Sequence, residues 1–112
     1  MIKISFFYPL RPGMKFDMDY YVNRHIPMAI ECLGAHSSFR GVSVERGVEP
    51  NLPGVIIPYV TLCHFYFDSL EDFLSASAPH VDKLQNDIPN YSEIPPQIQM
   101  SEVVFSYSPT PD

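Results

Sequence analysis

One stretch of this 112-residue chain constrains its fold more than any other: residues 56–67, IIPYVTLCHFYF. Its β-branched and aromatic content reads as a strand. Successive side chains on a strand point to opposite faces. Val60 and Leu62 therefore point one way, and Tyr59, Cys63, Phe65 and Phe67 the other. Both faces are apolar, so both demand cover. Pro58 has no N–H to give to a ladder and belongs at the start of the strand or on a bulge.

Three more strands are readable. Ile2–Tyr8 alternates, with Ile2, Ile4, Phe6 and Tyr8 on one face and Lys3, Ser5 and Phe7 on the other. Residues 38–49 form a second strand, with Phe39, Val42 and Val44 as apolar members and two glycines that permit bulges. Residues 97–107 form the last. Two helices separate them. The first spans residues 16–34. The second begins at Asp68 or Ser69, either of which can cap, carries Leu70, Phe73, Leu74, Val81 and Leu84 as its buried stripe, and is split by Pro79. The order is βαββαβ. Two crossover helices and one hairpin predict an α+β, ferredoxin-like arrangement: a four-stranded antiparallel sheet with both helices on one face. Residues 1–108 make a single domain and 109–112 a tail. The helices cover only one sheet face, yet Phe6 and Phe7 lie on opposite faces, as do Leu62 and Cys63. The economical cover for the second face is another copy of the chain, a homodimer packed sheet to sheet as a dimeric α/β barrel. The alternative is a face that tolerates scattered aromatics.

The first helix has unusual contents. Asp17 is placed to cap it, Phe16 to pack on Tyr21 as a staple, and Gly34 to stop it. At 100° per residue, Met18, Tyr21, Val22, Ile26, Met28, Ala29, Cys32 and Leu33 share one arc. His25 falls inside that arc, away from Asp19, Asn23, Arg24 and Glu31. Pro27 removes the donor for the Asn23 carbonyl, so the helix should kink or unwind beside His25. A ring whose ordinary pKa is about 6.5, aimed at the core beside loosened backbone, suits proton transfer. The same placement also suits a structural His bonded to a carbonyl or a Tyr.

Composition narrows the function. A net charge of −6 disfavours nucleic acid and anionic membranes as partners. There is no apolar run of about 18 residues, and the N-terminus reads as a strand, not a signal peptide. Two cysteines, Cys32 and Cys63, make no disulfide framework, which points to a reduced, cytoplasmic setting. His25, His36, His64 and His80 lack paired ligand spacing, so no metal site is expected. Phosphate loop, dinucleotide fingerprint and nucleophile elbow are all missing. The twelve prolines punctuate elements and form no low-complexity tract.

Around His25, Tyr21 and Met28 lie one turn away on each side and are the expected substrate-binding neighbours. Tyr8 ends the first strand near the helix start and is the second catalytic candidate. Tyr59 and His64, from the third strand, are further candidates for substrate contact, although aromatics on strands usually serve packing. Asp87 and Asn90 are expected to stabilise a turn, with Pro89 holding Ile88 extended.

The segments FYP, FDMDYYVNRHIP, FDSLEDF and NDIPNY leading to PPQIQMSEV resemble the EthD family, nearly end to end from Ile4 to about Val104. The resemblance implies a dimeric α/β barrel with a pocket between sheet and helices. It also implies an acid–base His on the first helix, which maps to His25. Relatives in the wider superfamily include cofactor-free monooxygenases, isomerases and polyketide cyclases. Haem ligation by His25 ranks low, because basic partners for the propionates are not identifiable. The leading expectation is thus a cofactor-independent isomerase, dehydratase or monooxygenase acting on a small apolar or aromatic molecule. The alternative is a non-catalytic binding or accessory homodimer of a degradation pathway, such as ether degradation with a cytochrome P450 system.

Overall fold

The computed structural model describes residues 1–110. The tail expected over 109–112 falls partly on 111–112, which lie outside the described residues. Four strands, β1 (Ile2–Pro9), β2 (Phe39–Arg46), β3 (Tyr59–Phe67) and β4 (Gln97–Glu102), form one antiparallel sheet in the order β2-β3-β1-β4. The two strands with apolar residues on both faces, β1 and β3, are the central pair. Helix α1 is built from Met18–Tyr20, Tyr21–His25 and Ile26–Leu33, and helix α2 from Leu70–Ser77, Ala78–His80 and Val81–Asn86. This is the ferredoxin-like α+β fold, with the expected βαββαβ order. Ser69 caps α2 by accepting from the Asp72 N–H, and Pro79 sits in a tight 3-10 turn that breaks α2 in two.

The core lies between sheet and helices. Ile4, Cys63 and Phe67 are fully buried, and Phe65, Ile26, Ala29, Leu33 and Phe73 close around them. Thr61 joins this face with its hydroxyl buried and, among the described residues, without a partner. An unpaired buried hydroxyl costs free energy, so Thr61→Val should raise stability by about 1 kcal/mol in urea unfolding.

Strand ends differ from the sequence reading for physical reasons. β3 begins at Tyr59, after Pro58, which cannot donate to the ladder. β2 is shorter than expected and carries a bulge between Phe39 and Gly41, where Gly41 adopts φ +132°. β4 stops at Glu102 because its partner runs out: Glu102 pairs with Ile2, and Val103 N–H reaches the Met1 carbonyl at 2.9 Å. Val104, Phe105 and Tyr107, expected as strand, are exposed.

The open face of the sheet is less uniformly apolar than expected. Phe7, Leu62 and Tyr66 sit there half-buried, but Ser5 and His64 occupy its centre. Ser5 Oγ lies 2.6 Å from His64 Nδ1, and His64 Nε2 lies 3.0 Å from Glu45 Oε1.

Candidate functional site

Helix α1 opens with the expected cap: the Asp17 carboxylate accepts from the Tyr20 N–H at 3.0 Å. Phe16 packs on Tyr21 with ring centroids 5.2 Å apart. The loosening expected at Pro27 takes the form of a π-helical turn over Tyr21–His25, in which the Ile26 N–H reaches back to the Tyr21 carbonyl. The wider turn relieves the clash that the proline ring makes in a regular ladder. It also inserts one residue, so every later side chain is rotated by about 100° from the regular wheel. That rotation aligns Tyr21, His25, Ile26, Ala29 and Leu33 on the buried face. It swings Met28 and Cys32 aside and leaves Val22 exposed. Gly34 ends the helix in an ordinary right-handed conformation (φ −71°), not the left-handed one typical of a glycine stop.

His25 meets its partner from the far end of the fold. Asp87 follows α2, and the turn Ile88–Asn90 folds back on it, with the Asn90 N–H bonded to the Asp87 carbonyl at 3.0 Å. Asp17 N–H donates to the Tyr91 carbonyl at 2.8 Å, and Phe16 bridges to Ser92, so this loop is tied to the start of α1. The result is a hydrogen-bonded chain. Tyr20 O–H donates to Asp87 Oδ1 at 2.6 Å, and the Asn90 amide donates to the same oxygen at 2.9 Å. Asp87 Oδ2 faces His25 Nδ1 at 2.9 Å. On the other side of the ring, His25 Nε2 is 3.4 Å from the Tyr91 hydroxyl, which is 2.7 Å from the Tyr8 hydroxyl.

Electrostatics choose the tautomer. Burial pushes the Asp87 carboxyl up, but the bonds from Tyr20, Asn90 and His25 outweigh it and hold it below its usual range. An ionised Asp87 only accepts, so His25 Nδ1 carries the proton and Nε2 keeps its lone pair. Burial lowers the His25 pKa against the pull of Asp87, so the ring is neutral at neutral pH. Burial likewise raises the phenols: Tyr8 to about 12, with Tyr21 and Tyr91 higher still. The Tyr91 hydroxyl beside Nε2, and the Tyr8 hydroxyl bonded to it, are therefore protonated beside a neutral base.

Of these groups, His25, Tyr8, Tyr21 and Tyr91 line a cavity of about 240 Å³ between sheet and helices. The rest of its wall is almost entirely apolar, with Phe6, Phe65, Phe73 and Ile88 among the lining residues. Ile98 and Met100 of β4 line it while remaining 53% and 44% exposed, which puts its mouth at the β4 edge. An apolar chamber with a few convergent polar groups is the usual form of a small-molecule site.

Of the sequence-predicted residues, the structure brings His25, Tyr8 and Tyr21 together. Met28 lies off the cavity, with Ala29 in its place, because of the register shift at the π turn. Tyr59 and His64 lie on the other face of the sheet. A bulge beside Pro9 reverses the alternation at Tyr59, whose ring packs on Phe7 at 5.2 Å and whose hydroxyl donates to Gln97 at 3.0 Å. Asp87 and Asn90 do stabilise a turn, but Asp87 also holds the His. Tyr20 and Tyr91 were not singled out in sequence. The spacing of Asp87 and Tyr91, four residues apart across a Pro-containing turn, is the signal that places both beside one helix. Among the described residues, no three His, Cys, Asp or Glu side chains gather as metal ligands. No helix among the described residues is long and apolar enough to cross a membrane.

The pH dependence of stability follows from His25. Its folded pKa lies below the ordinary 6.5, so the unfolded chain takes the proton first. Its contribution is complete above pH 6.5 and falls as pH is lowered through that value towards the folded pKa. His64, also lowered by burial and by nearby Lys3 against Glu45, acts in the same direction. Urea midpoints should therefore drop between pH 7.5 and 5, and His25→Gln should flatten part of that drop.

Comparison with known proteins agrees with this architecture. The EthD domain model matches residues 14–95. An EthD-like protein from Ralstonia eutropha JMP134 is 37% identical, with a TM-score of 0.85, over 96% of this chain and 95% of that one. An ethyl tert-butyl ether D (EthD) family protein from Bacillus halodurans C-125 is 19% identical, with a TM-score of 0.68, over 91% and 97%. A dimeric protein of unknown function and ferredoxin-like fold from Bacteroides fragilis NCTC 9343 is 19% identical, with a TM-score of 0.58, over 90% and 94%. No curated protein matches the sequence significantly. The family match over most of the chain, with a relative of one-third identity along nearly its whole length, makes this chain a member of the EthD family.

Proposed function

We propose that this EthD-family protein is an acid–base enzyme that moves a proton on a small apolar or aromatic carbonyl compound. The observation that carries this reading is His25: Nδ1 is held by an ionised Asp87, and Nε2 is left as a base on a ring that lines an otherwise apolar cavity. Nε2 takes a proton from an acidic C–H. The C–H bond breaks, the N–H bond forms, and the electron pair moves onto the carbonyl oxygen as an enolate. Tyr91, backed by Tyr8, is placed to donate to that oxygen. Return of the proton to a different carbon completes an isomerisation; for a dehydration, the C–O bond of a β-hydroxyl breaks as the enolate collapses, and the leaving oxygen takes the proton from Nε2 and departs as water. This chemistry needs no group beyond the chain itself.

The test is deuterium exchange. Small cyclic ketones, lactones and acyl phenols are incubated with the protein in deuterated buffer and followed by NMR. The reading expects catalysed exchange at one carbon acid, lost in His25→Ala. Retention of full exchange in that variant, or no exchange with any compound, would overturn it and favour a non-catalytic binding protein.

The assembly proposed for the chain is a homodimer through the open sheet face. Phe7, Leu62 and Tyr66 are the apolar members of that face, and the Bacteroides fragilis neighbour is itself dimeric. Leu62→Glu puts a charge among these apolar residues, opposite Phe7, and should convert a dimer into a folded monomer by light scattering. A wild-type protein of monomer mass would exclude the dimer.

A further inference from the structure

The His25 cavity does not stand alone. A second depression of about 550 Å³ adjoins it, and Phe6, Gln85, Ile88 and Ile98 line both, forming a neck between them. Beyond the neck the wall changes character: Pro89, Pro95 and Pro96 alternate with Ser92 and Glu93. Prolines have fixed φ, so this wall is preformed and loses little freedom when something lies against it. Ser92 is already occupied, since its hydroxyl donates to the Ile94 carbonyl at 2.6 Å and accepts from the Ile94 N–H at 3.2 Å. Glu93 spends one carboxylate oxygen on the Lys15 N–H at 2.7 Å. Its other oxygen and the exposed Gln85 amide have no partner among the described residues. Among the described residues, neither compartment is lined by lysine or arginine.

We infer that cavity and groove form one elongated binding site for an uncharged or cationic amphiphile, whose apolar end reacts at His25 and whose tail donates hydrogen bonds to Glu93 and Gln85. This rests on the reading of His25 as the base. Size supports it: a chamber of about 150 Å³ holds one benzene ring, so about 240 Å³ suits a body of one to two rings. Anything longer must leave past Ile88 and Ile98 into the groove. Charge decides what the tail carries. An anionic tail would meet Glu93 with no lining cation, on a chain of net charge −6. Substrates tethered to a phosphate-bearing carrier, or ending in a carboxylate, are therefore refused, and free amphiphiles are accepted.

Four probes test this by calorimetry and by the His25 ring NMR signals: 2-naphthol, its 6-(3-hydroxypropyl) and 6-(3-aminopropyl) derivatives, and 3-(6-hydroxy-2-naphthyl)propanoic acid. All four should perturb His25. The hydroxypropyl and aminopropyl compounds should bind about 10-fold tighter than 2-naphthol, and the propanoate at least as weakly as 2-naphthol. Glu93→Lys should reverse the order of amine and carboxylate, and the milder Glu93→Gln should remove the advantage of the amine. If 2-naphthol perturbs His25 while the tails bring no gain, or the propanoate binds best to the wild type, the elongated site is overturned and the His25 base stands. If no probe perturbs His25, both fall together.

Discussion

His25→Gln should slow proton exchange on a bound carbon acid by about 10²–10⁴-fold while the protein stays folded. Gln keeps a polar side chain of similar reach, so its amide can donate to Asp87 and leave no buried carboxylate unpaired. It cannot present a basic lone pair of comparable strength towards the cavity. The measurement pairs the exchange rate with the urea midpoint. A large loss of rate with a small change in midpoint identifies His25 as the base. A collapse of stability with proportionate loss of rate would assign it a structural role. The effect should depend on pH in one direction only. The His25 pKa is lowered by burial, so the wild-type rate should rise through a pKa below 6.5 and stay level above it. In His25→Gln that limb should vanish.

Asp87→Asn should cost nearly as much, for a different reason. The variant is close in shape, so packing around Tyr20 and Asn90 is retained. The charge that dictates the tautomer is lost. An Asn amide can turn its N–H₂ towards His25 Nδ1, which then accepts, and the ring proton moves to Nε2. The base is blocked by its own proton although every atom remains in place. A loss on the order of 10²–10⁴-fold is expected, as for other His bases that lose their orienting carboxylate. Nitrogen NMR of the ring distinguishes the two tautomers directly. An unchanged tautomer with an unchanged rate would show that Asp87 only holds the turn. Asp87→Ala tests the structural share separately. It leaves Tyr20, Asn90 and His25 without their shared acceptor and should cost about 1–3 kcal/mol of stability.

The two variants also explain why one half of the site was legible in the sequence and the other half was not. His25 was readable because helical periodicity is local: a polar ring in an apolar arc stands out within two turns. Pro27 was readable as a source of strain for the same reason. What the strain would become was not. A proline can be relieved by a kink or by a wider turn, and only the packing of Tyr21 and Leu33 against the sheet selects the π turn. That choice removed Met28 from the cavity and brought in Ala29. Tyr59 failed in a similar way, since a bulge of one residue at Pro9 reverses every face assignment beyond it.

Asp87 and Tyr91 lie more than sixty residues from His25 in the chain. No local pattern can report such a meeting. It depends on the crossover from α2, the turn at Ile88–Asn90 and the bridge from Phe16 to Ser92, which act together only once the sheet has formed. The sequence by itself determined the order of elements, the two strands that are apolar on both faces and the helix that carries the His, because periodicity and capping act over a few residues. The tertiary structure alone decided which carboxylate meets the His, which nitrogen keeps its lone pair and which end of the cavity opens, because those follow from long-range packing and from the burial that shifts each pKa.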